Sequence, residues 1–422
     1  MKRILRILLQ TIVITAIAIY VFGFWPLHDP HPKPLETHGV LAIVGAKVYV
    51  SPDGPTLRDA TVVVVDGKIA AIGADVVPPA GATLVPCIGC VVTAGFWNAH
   101  VHFTQSKWSG AEWKSAGQLE PQLEDMLTSR GFTTVVDTGS NLRDTIPIRR
   151  RIEKGELAGP KIYTAGAAQY PPNGIPFYLK ETLPRWLIAL MPQPKTPEEA
   201  TKDELRNISD GADILKLFTG SYIARGKVLP MPLANAQAAV AVAHAHGQLA
   251  LAHESDLDGV KVAIASGVDV LAHAVDTTDG VDDAVLQSII DHHMSMIPTL
   301  KMFATTVTTN PRYIDPIHAQ VRRFHALGGD LIFGTDVGYM TDYTTTGEFT
   351  ALADSGLGSM DILRMLTVAP AKRFAVASEK GTVEVGKDGD LVVLDRDPAG
   401  DVTAFAAVQT TIRSGKVIWQ KK

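Results

Sequence analysis

Cysteine is nearly absent: the 422 residues hold only Cys87 and Cys90, in the run PCIGC. Two cysteines cannot build a disulfide framework, and without a second pair they complete no four-thiolate zinc site. This C-x-x-C lies in a strand-and-turn region, away from the helix N-terminus that activates redox pairs. It reads as two structural cysteines able to close a small disulfide outside the cytoplasm. Charge of one sign is lacking too. The net charge is −5, 20% of residues are charged, and no basic patch with interleaved aromatics occurs. Nucleic-acid binding is therefore not expected. There is no low-complexity tract and no solenoid repeat. No G-x-G-x-x-G follows the first strand, which leaves a doubly wound open sheet as the runner-up fold. What is present is a globular composition, 46% hydrophobic, with 36 glycines suited to many strand-to-helix turns. A chain of this length can form one large barrel domain and a smaller companion.

The N-terminus stands apart. Lys2, Arg3 and Arg6 precede Ile7–Leu27, which carries no charged side chain. About 20 helical residues cross a hydrocarbon core of roughly 30 Å. The basic flank predicts a membrane anchor with its N-terminus in the cytoplasm and the catalytic domain outside it, in the periplasm. The alternative is a cleaved signal segment, leaving a secreted or periplasmic protein. Cutting after the single A-x-A pattern, Ala16-Ile17-Ala18, would leave IYVFGFW on the mature chain. Next comes Pro26–His38, with prolines at 26, 30, 32 and 34. It predicts an extended tether that holds the domain off the bilayer.

Val40 to about Val92 reads as short strands and turns, with an Asp66-Gly67 hairpin signal. The last forty residues repeat that style, with a Ser414-Gly415 turn. Together, 39–92 and 376–422 predict a β-sandwich built from both ends of the soluble chain. Between them, β-rich runs occur at VTAGFWNAHVHF, TTVVDTG, KIYTAG, DILKLFT, LALAHES, VLAHAV, SMIPTL and LIFGTD. Segments such as LANAQAAVAVAHAHG and DGVKVAIASG separate them with helical periodicity. Eight strands alternating with helices over 93–375 predict an α/β fold, a (β/α)8 TIM barrel.

Catalytic groups of such barrels sit at the C-terminal ends of the strands. Those ends supply His100 and His102 on strand one, Lys216 on strand four, His253 on strand five, His273 on strand six and Asp336 on strand eight. His100 and His102 are two apart, so a strand turns both imidazoles to one side. Taken singly, Lys216 reads as a snorkelling lysine and Asp336 as a helix N-cap. Six metal-competent groups at matching positions of five strands point instead to a metal site. The other histidines do not share this placement and read as structural or solvated: His244, His246, His292, His293, His318 and His325 lie on helices and turns, and His28, His31 and His38 in the tether.

GFWNAHVHF, DILKLF, LALAHES, VLAHAV and FGTD resemble, in order, the ligand motifs of the amidohydrolase superfamily of metal-dependent hydrolases. The likeness spans roughly 40–420, and the nearest branch holds imidazolonepropionase-like proteins, metal-dependent prolidases and Xaa-Arg dipeptidases. The resemblance implies that His100, His102 and Asp336 hold a first metal and that His253 and His273 hold a second. Lys216, carboxylated on its amine (N6-carboxylysine), would bridge them. Mononuclear members lack that lysine. Two divalent ions follow, zinc by default, with manganese or cobalt as alternatives. Strand five departs from the pattern, reading AHES where relatives often read AHA or HAH, a difference on the substrate side.

The expected reaction is hydrolysis of an amide or peptide C–N bond in a dipeptide or N-acyl amino acid. Two metals share a water and lower its pKa toward neutrality, and Asp336 moves the proton to the leaving amine. Tyr222 and Arg225 after strand four, and Gln169 and Tyr170 after strand three, are the candidate substrate contacts. Arg225 suits a terminal carboxylate. Rival readings are a one-metal cyclic-amide hydrolase or deaminase, a lactone or phosphotriester hydrolase, and a catalytically silent membrane-tethered binding protein. The expected partners are the small substrate and the membrane; oligomerisation is left open.

Overall fold

The computed structural model describes residues 27–422 apart from 88, 308, 309 and 311. Eight parallel strands form the centre: β1 Phe96–Val101, β2 Phe132–Asp137, β3 Lys161–Thr164, β4 Ile214–Phe218, β5 Leu249–His253, β6 Val270–Leu271, β7 Ser295–Met296 and β8 Asp330–Leu331. Regular ladders join β1 to β3 and β4 to β8. Two seams close the barrel. Gln169 N donates to Lys216 O (3.0 Å) and Phe218 N to Gln169 O (2.9 Å), joining β3 to β4. Ala99 N to Phe333 O and His102 N to Val337 O, each 2.8 Å, join β8 to β1. Every residue of β1, β2 and β4 is buried. Such continuous apolar runs mark strands covered on both faces. Ala99, Val136, Ala165, Ile214, Leu251, Val270, Ile297 and Ile332 fill the lumen. Helices such as Leu142–Glu153 and Pro197–Ser209 return the chain between strands. Asn141 caps the first through Arg143 N and Thr196 the second through Glu199 N.

Both chain ends meet in one eight-stranded sheet, where Leu391–Leu394 pairs antiparallel with Val91–Ala94. The expected sandwich thus takes the form of a single continuous sheet. Bulges in Val40–Tyr49 let that strand pair on one edge with Thr83–Pro86 and then with Val91–Ala94, which carries the hydrogen bonding onward. Asp66-Gly67 and Ser414-Gly415 are hairpin turns with positive φ at both residues (45° and 80°, 48° and 72°). Cys87 and Cys90 are joined as a buried disulfide within this sheet's core.

Two expectations for the N-terminus are corrected. The transmembrane helix was placed on Ile7–Leu27, of which all but Leu27 lies outside the described residues. Among the described residues no helix is long and apolar enough to cross a membrane. The longest described helices have 13 residues, about 20 Å against a core of roughly 30 Å. The tether, for its part, is not a free spacer. Leu27 packs against Leu142, Ile146 and Ala212. Arg150 Nη1 donates to His28 O (2.9 Å), Arg149 Nη2 donates to Pro30 O, and Leu35 N donates to Glu153 Oε2 (2.7 Å). Proline lacks an N–H, so the segment's carbonyls go unpaired internally and the helix arginines take them.

Candidate metal centre

His100 and His102 end β1 with their rings on one side, as the two-residue period requires. His100 Nδ1 lies 2.7 Å from Ala272 O and His102 Nδ1 2.8 Å from Gly139 O. Each Nδ1–H donating to a carbonyl leaves its Nε2 lone pair free. The two Nε2 atoms stand 3.4 and 3.0 Å from Asp336 Oδ1. Ligand atoms of these three residues all lie within 4.8 Å of one another, a group able to hold an ion. Asp336 has a left-handed backbone (φ 58°), held by its N–H to His100 O at 2.9 Å. Asn98 ties the strands beneath: its Nδ2 donates to Thr335 Oγ1 (2.6 Å), and its Oδ1 accepts from His100 N and Thr335 N (both 3.2 Å).

The remaining ligand candidates converge on the same spot. The His273 ring lies 4.5 Å from that of His100 and 4.7 Å from that of His253. His273 Nδ1 meets Thr299 Oγ1 at 2.8 Å, and Thr299 is itself left-handed (φ 49°). Glu348 fixes this turn by accepting from Leu300 N (3.0 Å) and Lys301 N (2.7 Å). Lys216 is 2% exposed and its Nζ has no hydrogen-bond partner. Burial lowers its pKa to about 8, against the opposing pull of the Glu254 and Asp336 charges. Burial, reinforced by Lys216, also drives His100, His253 and His273 well below the usual histidine range. His102 is the exception: burial works against its charge, but Asp336 and Asp137 outweigh it and raise the pKa.

These donors fit divalent metals. Imidazoles, with the Nδ1 atoms of His100, His102 and His273 already engaged, an unpartnered buried amine and a carboxylate oxygen without a hydrogen-bond donor lie together. The support beneath is equally built. Asp137 accepts from Ser140 Oγ (2.5 Å), Thr164 Oγ1 (2.8 Å), Thr145 Oγ1 (3.0 Å) and Gly139 N (3.3 Å). It thereby holds the Gly139 carbonyl that orients His102.

The proposed substrate contacts divide. Tyr222 belongs to the hairpin Gly220–Ala224 and Lys227–Pro230 after β4, with its hydroxyl 2.6 Å from Thr277 Oγ1. Arg225 is exposed near that hairpin's tip, its guanidinium 5.4 Å from the Phe177 ring centre. Tyr170 is buried and stacked on Phe218 (4.4 Å), which stacks on His253 (4.6 Å). Gln169 does not reach the mouth. Its Nε2 points to Ala200 O (3.2 Å) and Glu204 Oε2 (3.3 Å), while its backbone forms an isolated parallel bridge to Leu217 at the β3–β4 seam. Two groups escaped the sequence reading. Tyr178 and Tyr339 pair at 5.9 Å, and burial, with Tyr170, Tyr339 and Asp336 nearby, raises the Tyr178 phenol far above its usual range. Glu254, flagged only as a departure from pattern, is fully buried. Tyr339 follows Asp336 by three residues, and its place in a strand-end loop was the available signal. The remaining histidines lie elsewhere, as in His244 with Asp269 and His325 with Asp361.

Comparison with known proteins fits this arrangement. Imidazolonepropionase of Thermoplasma acidophilum is 26% identical over 188 residues, 41% of this chain and 46% of the relative. The chain thus spans about half the length of that curated relative. A Xaa-Pro dipeptidase with methionine bound in its active site superposes with a TM-score of 0.76 at 22% identity, over 91% of this chain and 100% of the other. A prolidase complexed with N-methylphosphonate-L-proline gives 0.74 at 22%, over 90% and 100%. Both likenesses are of fold. The sequence profile of the amidohydrolase family matches residues 91–418, more than three quarters of the chain, and the chain belongs to that family.

Proposed function

We propose that this protein is a binuclear metal-dependent hydrolase that cleaves an amide or peptide C–N bond in a dipeptide or N-acyl amino acid. The observation that carries the reading is the buried, unpartnered Nζ of Lys216 among three imidazoles and Asp336. A lysine held in that place with its pKa lowered is suited to carboxylation, and a carbamate there would meet two ions. His100, His102 and Asp336 would hold one, His253 and His273 the other, with Lys216 between.

Such metals supply an activated water at neutral pH and polarise a carbonyl oxygen. The chain's own groups do the rest. The backbone amide of Asp336 is pinned to His100 O, which fixes its carboxylate beside both imidazoles. It can take a proton there and return it to the leaving amine nitrogen. Tyr178 and Tyr339, paired near Asp336, would line the mouth, and Arg225, beside Phe177 of the short helix that carries Tyr178, would take a substrate carboxylate.

The test loads the purified full chain with zinc, manganese or cobalt and measures metal content and hydrolysis on one sample. Dipeptides, N-acyl amino acids, cyclic amides and lactones are the substrates. Two metals per chain with turnover of dipeptides or N-acyl amino acids is expected, with both lost in Lys216→Ala. One metal per chain, or turnover confined to cyclic amides or lactones, would overturn it.

A further inference from the structure

Three loop ends meet beside the metal centre and are stitched into one patch. Thr277 N donates to Ser255 O (2.8 Å), Ser255 Oγ to Gly220 O (3.1 Å), and the Tyr222 hydroxyl meets Thr277 Oγ1. The patch presents Glu254, which follows His253, and Asp276, three residues after His273. Both Glu254 oxygens and Asp276 Oδ1 are buried without any hydrogen-bond partner, and Glu254 is 0% exposed.

Several buried carboxylates elsewhere in the barrel are supplied with donors, and Glu204 keeps one on its Oε2. Asp137 has four, Glu348 two backbone N–H groups, and Glu153 an arginine, Arg413, at 2.6 Å. Leaving three carboxylate oxygens bare costs stability unless a ligand completes them. Their placement is also enforced. A Cβ on Gly220 or Gly259 would stand 2.0 or 1.8 Å from Glu254 O, so two glycines let neighbouring chain press on that residue. Ser255 is held at φ 57°, an uncommon backbone state for serine.

Lys216 is the nearby cation, yet among the described residues no ion pair within 4.0 Å links it to Glu254. On the carboxylated reading above, on which this step rests, Lys216 becomes anionic and offers Glu254 no countercharge. We propose that Glu254, Asp276 and Tyr222 form a subsite for a cationic N–H group of the substrate, an ammonium or guanidinium. The cation is either the free α-ammonium of a dipeptide or a basic side chain on the acyl residue.

Three substrates separate the cases: alanyl-leucine, N-acetylalanyl-leucine and N-acetyl-lysyl-leucine, assayed with metal-loaded full chain. The readout is the ratio of kcat/KM for each cationic substrate to that for the neutral one, which cancels differences in metal occupancy and folded fraction. The wild type is expected to favour at least one cationic substrate by roughly tenfold or more, and which one identifies the source. Asp276→Asn and Glu254→Gln should each shrink that ratio to a few-fold at most. A neutral substrate as good as both cationic ones, or a ratio unmoved in both variants, would overturn the subsite. If no amide is hydrolysed, the hydrolase reading fails while the subsite is still decided by calorimetry with n-butylammonium chloride. Binding that is lost in Asp276→Asn supports it, and no binding overturns it.

Discussion

Asn98 holds three groups at once: it donates to Thr335 Oγ1 at 2.6 Å and accepts from His100 N and Thr335 N at 3.2 Å. It is 0% exposed, and it locks the first strand to the segment that carries Asp336. Asn98→Ala strands the buried N–H of His100, leaves Thr335 N only a long contact to His100 O (3.4 Å), and is expected to cost about 2–3 kcal/mol. The same change should loosen the His100–Asp336 geometry and weaken metal binding roughly 10- to 100-fold. Thermal unfolding and metal titration measure the two effects. An unchanged metal affinity would mean that the strands are aligned by other contacts.

Arg225 lies over Phe177, and among the described residues no carboxylate pairs with it within 4.0 Å. If it receives a substrate carboxylate, Arg225→Ala should raise KM by up to about fivefold, the upper end for an exposed charge pair. Dipeptides with a free C-terminus should show the effect and their C-terminal amides should not. Equal KM changes for both sets would remove the role.

Glu204 faces Gln169 behind the barrel, and burial lifts its carboxyl from 4.5 to about 8 against the opposing donations of Gln169 and Asn207. Between these values the folded protein binds more protons than the unfolded chain. Stability from this group is present below about pH 4.5 and is lost as the pH rises toward 8. Glu204→Gln should therefore flatten the decline of Tm across that window. At pH 8 it should gain up to about 4 kcal/mol. Melting curves at pH 5, 6.5 and 8 that run parallel for both proteins would refute this.

Gly338 has φ 104°, and a Cβ there would sit 1.9 Å from His102 O. Gly338→Ala combines backbone strain with a clash against a strand that cannot retreat. We expect a loss of about 3 kcal/mol or more. Metal uptake should fall with it, because the displaced atom belongs to a ligand residue. Circular dichroism melts and metal content check both.

The convergence of the six candidate residues was readable because each ends a short apolar run, and such runs stand out as buried parallel strands. The His100 and His102 spacing, and the endings of DILKLF and LALAHES, carry their own register. Gln169 misled because AQYPPNG looks like loop. An isolated bridge to Leu217 instead holds it at the β3–β4 seam, with its side chain on Ala200 O and Glu204. The single sheet at the chain ends was hidden by bulges in Val40–Tyr49, which leave no signature in hydrophobic alternation. Tyr178, on the short helix Phe177–Thr182, and Tyr339, in the loop after Asp336, are 161 residues apart, and only tertiary folding brings them together. The docking of Pro30 likewise depends on Arg149, which sequence shows only as one of three consecutive arginines.

That docked proline segment decides where the chain can be cut. It runs along Leu142–Glu153, the helix whose cap follows the Gly139–Ser140 turn that orients His102. A fragment starting at residue 36 would free Arg149 and Arg150 from the His28 and Pro30 carbonyls and expose Ile146. A fragment starting at residue 27 keeps those contacts. Trimming what looks like a spacer would thus remove part of the barrel's outer wall, and a truncated protein with poor metal uptake would report on the cut rather than on the ligands.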